Sequence, residues 1–140
     1  MNLPNFDSVQ VGDMLPPLQK PPITRHTLAL FCGASNDHNP IHVDIDFARA
    51  AGMPDVFAHG MLSMAYLGQL LTHWVPQSAL RSFAVRFSSI TQLKDSITCQ
   101  GRITEKFVDN GEHRARIELK AVNQDNDVKL IGEAVVALGH

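Results

Sequence analysis

Two patterns of apolar spacing divide this chain. Along residues 59–74 run Met61, Leu62, Met64, Ala65, Leu67, Leu70 and Leu71, with the small residues Gly60, Ser63 and Gly68 between them. That segment is apolar almost all round, which predicts a helix buried in the middle of a fold. Pro76 stops it. Beyond it the apolar positions alternate, as they do in strands. Residues 81–90 place Phe83, Val85 and Phe87 on one face. Residues 97–107 continue with β-branched and apolar side chains. Residues 114–123 alternate Ala115, Ile117, Leu119 and Ala121, and residues 128–138 form a last apolar run. Breaks fall at Lys94-Asp95, at Asp109-Asn110-Gly111 and at Gln124-Asp125-Asn126-Asp127, and Asn-Gly is a strong signal for a two-residue hairpin.

The first part of the chain is less regular. Residues 1–22 hold Pro4, Pro16, Pro17, Pro21 and Pro22, five of the eight prolines, and read as an extended arm with at most a short strand near 12–18. Thr24 is placed to cap a helix over 25–33, where Leu28, Phe31 and Cys32 follow helical spacing and Gly33 ends the run. A short helix over 45–51 closes at Gly52, and Met53-Pro54-Asp55 is a turn. No repeat or linker divides the chain, so one domain over 1–140 is expected. Its class is α+β. An antiparallel sheet of four consecutive strands wraps one long central hydrophobic helix, which is the hotdog fold. One helix covers such a sheet sparingly and edge strands need partners. A homodimer is therefore expected, with a heterodimer as the variant.

Composition removes several function classes. Hydrophobic residues are 44%, charged residues 19% and the formal net charge is -2. No basic footprint of a nucleic-acid binder exists. The scattered Arg81, Arg86, Arg102, Arg114 and Arg116 leave room for a local anion site. No segment offers eighteen uninterrupted apolar residues for a membrane span. The N-terminus lacks the basic start and apolar core of a signal peptide, and a cytoplasmic setting is expected. Cys32 and Cys99 have no metal spacing and read as reduced packing residues.

The chemistry concentrates in Asp37-His38-Asn39-Pro40-Ile41-His42. Asn-Pro favours a turn, so a carboxylate and an imidazole can converge across a bend, where such a pair can grip a water and move protons. The bland alternative is an Asx-turn in which Asp37 and Asn39 satisfy local backbone groups. Asn39 reads as a clamp of the turn and His38 as an exposed turn residue. Downstream, Ala58-His59-Gly60-Met61 opens the central helix. Gly60 N–H is one of the unpaired donors of a helix N-terminus, and without a side chain it admits a carbonyl oxygen closely, as an oxyanion donor would. His59 reads as a support residue or as a histidine bonded to backbone. Ser63 and Tyr66 lie further along the helix, where buried hydroxyls commonly return to the i−4 carbonyl; Ser63 is also expected as a support residue of the site. Seven histidines raise the question of a metal, but no H-x₃-H pair and no cysteine ligand supports one. No metal is expected.

The run from Phe31 to His42, followed by Ala58-His59-Gly60-Met61, resembles the hydratase motif of the MaoC-like dehydratases, which include the (R)-specific enoyl-CoA hydratases. The resemblance extends from about Gly12 to the last strands. It implies a hotdog dimer that hydrates trans-2-enoyl thioesters, or dehydrates (3R)-hydroxyacyl thioesters, carried on CoA or acyl carrier protein and without a cofactor. In the family the residues matching Asp37 and His42 hold the reacting water, the N–H matching Gly60 binds the thioester oxygen, and Asn39 matches the turn asparagine. Asn36 stands where many relatives have glycine, and asparagine tolerates the left-handed backbone. Gly68 stands where some relatives place a serine that supports the aspartate. Two other readings remain: a non-catalytic hotdog subunit that binds acyl chains or a catalytic partner, and a hotdog thioesterase.

Overall fold

A computed structural model describes residues 1–140. The sheet grows from alternating segments: β1 (Leu18–Gln19), β2 (Leu80–Phe87), β3 (Thr98–Asp109), β4 (Glu112–Val122) and β5 (Val128–Ala137). Their spatial order is β1-β3-β4-β5-β2, every pair antiparallel. Consecutive strands are therefore not all neighbours. β2 crosses over to pair with β5, and residues 88–97 carry the chain to β3. The predicted hairpin forms between β3 and β4, where Asp109 pairs with Glu112. Asn110 and Gly111 take φ of 50° and 76°, the positive values a type I′ turn requires.

The helices are α1 (Arg25–Ser35), α2 (Ile45–Ala50) and α3 (Gly60–Trp74), with 3₁₀ turns over Pro40–His42 and Gln77–Ala79. Thr24 caps α1 as expected, accepting from Thr27 N–H at 3.1 Å. Gly33 does not end α1. The helix continues to Ser35 and stops at Asn36, which takes the left-handed φ of 61°. The terminating signal is thus the left-handed residue and not the first glycine.

Leu62, Leu67, Leu70 and Leu71 of α3 pack against the concave face of the sheet, on Ile103, Ile117 and Leu119, all 5% exposed or less. The expected burial all round is only partly met. A stripe of Gly60, Met61 and Ala65 is exposed, with Met64 and Gly68 half-buried. The proline-rich arm follows the β3 edge, with Leu15 N–H on Gly101 O and β1 pairing Cys99 and Thr98. Four of the five candidate anion-binding arginines meet carboxylates: Arg81 and Arg114 with Glu112, Arg116 with Glu105 and Glu133, and Arg102 with Glu118. Both cysteines are free and buried. No helix is long and apolar enough to cross a membrane.

Candidate active site

The turn after α1 is built by short-range hydrogen bonds. Ser35 Oγ donates to Phe31 O at 2.6 Å and accepts from Asp37 N–H at 3.1 Å. Asp37 Oδ1 accepts from Asn39 N–H at 3.2 Å, and Asn39 Oδ1 accepts from Ile41 N–H at 3.1 Å. These are Asx-turns, so the bland reading of Asp37 and Asn39 is present in the geometry. It accounts for one carboxylate oxygen of Asp37 and leaves the other without a turn role. Asn39 acts within its own turn and caps the 3₁₀ helix. His38 is exposed.

That 3₁₀ turn delivers His42 into the interior, where it is 8% exposed. Its Nδ1 lies 2.7 Å from Phe57 O. A carbonyl only accepts, so Nδ1 carries the proton and the neutral ring keeps its lone pair on Nε2. His59 stacks on His42 with centroids 3.8 Å apart. Its Nε2–H donates to Asp37 O at 3.2 Å and lies 3.4 Å from Cys32 Sγ. The ring edge also faces Phe31 at 4.9 Å. Burial, and next the nearby charge of His42, hold His59 below the ordinary histidine value, which favours its neutral form. One side-chain ligand atom from each of Asp37, His42 and His59 falls within 4.8 Å of the others.

Gly60 opens α3 with no side-chain cap on the helix; Leu62 N–H donates to His59 O at 3.1 Å, which leaves the Gly60 N–H without a partner in the helix or its cap. The space a Cβ would need is filled by this chain's own Phe87, whose Cε1 would lie 2.8 Å away. The bare Cα of Gly60 thus serves Phe87 in this structure, and the N–H rather than the missing side chain is what it offers a ligand. Ser63 is fully buried and shares a hydrogen bond with Thr91 Oγ1 at 3.4 Å, instead of turning back on its helix. Thr91 O in turn accepts Ala58 N–H at 2.9 Å, which fixes the approach to α3.

An apolar groove of about 410 Å³ runs along the open stripe of α3, lined by Phe31, Met61, Met64, Ala65, Gly68 and Phe83. Ser35 and Asp37 stand on the same wall. The structure therefore gathers Asp37, His42 and His59 around one point, with Gly60 on the next peptide. It keeps Ser63 apart, behind Thr91. Ser35 and the Phe57 carbonyl are not read from sequence as part of the site, and Cys32 is read there only as a packing residue. Only Ser35 left a signal, a hydroxyl two residues before an aspartate at a helix end.

The family model for a MaoC like domain matches residues 9–127. Fatty acid synthase subunit beta of Saccharomyces cerevisiae is 33% identical over 143 residues, 97% of this chain and 6% of that protein. The (R)-specific enoyl-CoA hydratase of Rhodospirillum rubrum is 29% identical over 93 residues, 61% of this chain and 65% of that protein. This chain spans a small part of the synthase subunit and just under two thirds of the hydratase. Two solved structures superpose closely. R-Hydratase PhaJ1 from Pseudomonas aeruginosa gives a TM-score of 0.85 at 27% identity, over 99% of this chain and 88% of that one. An (R)-hydratase from A. caviae gives 0.81 at 25%, over 94% of this chain and 98% of that one. The match of motif, sheet and helix across most of its length places this chain in the MaoC-like dehydratase family, with the hotdog fold.

Proposed function

We propose that this protein adds water to trans-2-enoyl thioesters with (R) stereochemistry, or removes it from (3R)-hydroxyacyl thioesters. The observation that carries this reading is the tautomer of His42. Its Nδ1–H is held by Phe57 O, so the lone pair sits on Nε2; a ring nitrogen of His42 lies within 4.8 Å of the Asp37 carboxylate, and Asp37 stands at the wall of an apolar groove. Water held by Asp37 and His42 attacks C3 of the enoyl group while one of the pair removes its proton. The thioester oxygen accepts Gly60 N–H at the uncapped, partially positive end of α3. One such donor contributes about 3–4 kcal/mol to the transition state. The proton returns to C2. Only protons move and the thioester is the activating group, so the chemistry calls for no cofactor. The acyl chain lies along Met61, Met64, Ala65 and Gly68, with CoA or acyl carrier protein as the carrier. Support comes from the (R)-specific hydratase among the relatives.

The same reading places a second copy of the chain on the open side. β2 pairs only with β5 and forms a sheet edge, and Met61 and Phe87 beside it are 53% and 52% exposed. An open strand edge next to apolar side chains is the surface a homodimer covers.

Asp37→Asn and His42→Ala test the assignment. Each is expected to lower turnover of crotonyl-CoA by about 10²–10⁴-fold, with the fold retained by circular dichroism. Near-normal turnover in either variant removes the acid–base pair from the mechanism. The bond from Asn39 N–H to Asp37 favours a second reading, a passive acyl-binding subunit. Such a protein leaves the enoyl absorbance unchanged when assayed alone. Release of free thiol without loss of the enoyl group would instead mark a thioesterase.

A further inference from the structure

Both imidazoles of the site are held through one nitrogen by a backbone carbonyl. His42 donates Nδ1–H to Phe57 O, and His59 donates Nε2–H to Asp37 O. In the neutral rings the lone pairs then sit on His42 Nε2 and His59 Nδ1. The second of these is buried without a hydrogen-bond partner, in a ring 1% exposed. A buried acceptor left unpaired is unfavourable by roughly 1–3 kcal/mol, which a ligand would relieve. A carbonyl holding the N–H of an imidazole is also the outer-shell arrangement found around metal-bound histidines.

The rings stack at 3.8 Å with their planes 25° apart. The ligand atoms of Asp37, His42 and His59 are within 4.8 Å of one another. Ligands of one zinc ion bind at about 2.0–2.2 Å and so span up to roughly 4 Å. Asp37 is exposed, so its side chain has room to move toward the two rings.

We propose that Asp37, His42 and His59 form a reversible site for a divalent transition-metal ion, Zn²⁺ in the first place, whose occupation blocks the water position. Two imidazoles and one carboxylate suit zinc and not magnesium or calcium, which take oxygen sets. Binding rests on geometry alone; the inhibitory effect rests on the hydration reading.

Calorimetric titration of untagged, chelator-stripped protein with zinc tests the site. The expected result is one ion per chain, with no matching uptake of magnesium. Asp37→Asn changes only an exposed side chain and should weaken uptake at least ~10-fold, since even an outer-shell partner is worth 10–100-fold. His59→Gln should do the same. His113→Ala serves as the control: His113 Nδ1 is also buried and unpartnered, and its ring lies 4.6 Å from that of His140. Its removal should leave the affinity unchanged. No saturable uptake, or uptake lost in His113→Ala and kept in Asp37→Asn, overturns the site. Crotonyl-CoA turnover separates the two readings. Turnover that fails only when zinc is bound supports both. Intact turnover with no zinc uptake overturns the metal site and leaves hydration standing. Zinc bound by the three residues in a protein that never turns over supports the metal site and counts against hydration.

Discussion

His59 carries a pH signature of the candidate site. Burial comes first among the causes that lower its pKa, followed by the charge of His42; together they outweigh the hydrogen bond and charge of Asp37. The folded chain therefore binds this proton less readily than the unfolded chain. Its contribution to stability is complete above the ordinary value of 6.5 and is lost as pH falls below that value toward the lowered one. The thermal midpoint is expected to decline on acidification through that window, and His59→Gln should flatten the decline. An equally steep decline in the variant would assign the effect to other groups. At this scale the sequence was a fair guide to local structure and a poor guide to neighbours. The turn that carries Asp37 and His42 and the helix start at Gly60 were legible because turn and helix-start chemistry are local. The stacking of His42 on His59 and the contact to Cys32 were not, because these residues lie far apart along the chain.

Elements followed their patterns where one face is buried and drifted where it is not. β4 and β5 lie close to their predicted spans, since Ala115, Ile117, Leu119, Leu130 and Ala134 alternate into the core. α1 ran two residues beyond Gly33. A glycine in an exposed helix is tolerated at a modest cost, and termination waits for a left-handed residue. The two kinds of glycine predict opposite outcomes. A Cβ at Gly33 meets nothing within 4 Å, whereas one at Gly132 of β5 would collide with Ala84 O and lie 2.8 Å from Val85 Cγ1. Gly33→Ala is expected to stabilise the protein by about 0.5–1 kcal/mol. Gly132→Ala should destabilise it by roughly 1–3 kcal/mol through overpacking between β2 and β5. Urea denaturation read by circular dichroism checks both signs. The bare Cα of Gly132 is needed because β2 comes over to pair there, and that crossover is not encoded in the alternation of either strand.

For the whole molecule, a buried charge cluster ties the β2–β3 connection to the β4–β5 turn. Lys129 is 4% exposed; its Nζ donates to Ile90 O at 2.9 Å and to Asp127 at 2.6 Å, and lies 3.5 Å from Asp95. Asp95 also accepts Gln92 N–H at 2.9 Å. The next residue after Ile90 is Thr91, which holds Ala58 N–H and Ser63, so the cluster props the N-terminal end of α3. Lys129→Met strands a buried carboxylate and is expected to cost roughly 3–5 kcal/mol. Adding Asp95→Asn should recover part of that loss, as a double-mutant cycle by chemical denaturation would show. At the largest scale the open β2 edge and the exposed stripe of α3 predict a species of twice the 15.4 kDa chain mass in sedimentation equilibrium. A monomer at working concentration would count against a second copy on that face.

Local chemistry let the sequence determine the two kinds of element, the hairpin at Asn110-Gly111, the cap at Thr24 and the turn that bears Asp37 and His42. Each depends on residues within a few positions of one another. Tertiary structure alone decided the rest. It placed β2 beside β5, left one face of α3 open as a groove, and set Phe87 against Gly60. It also brought His59 onto His42, with a lone-pair nitrogen free on each ring. Such pairings arise from how faces of similar hydrophobicity close on one another in space, and a pattern read along one dimension contains no record of which face meets which.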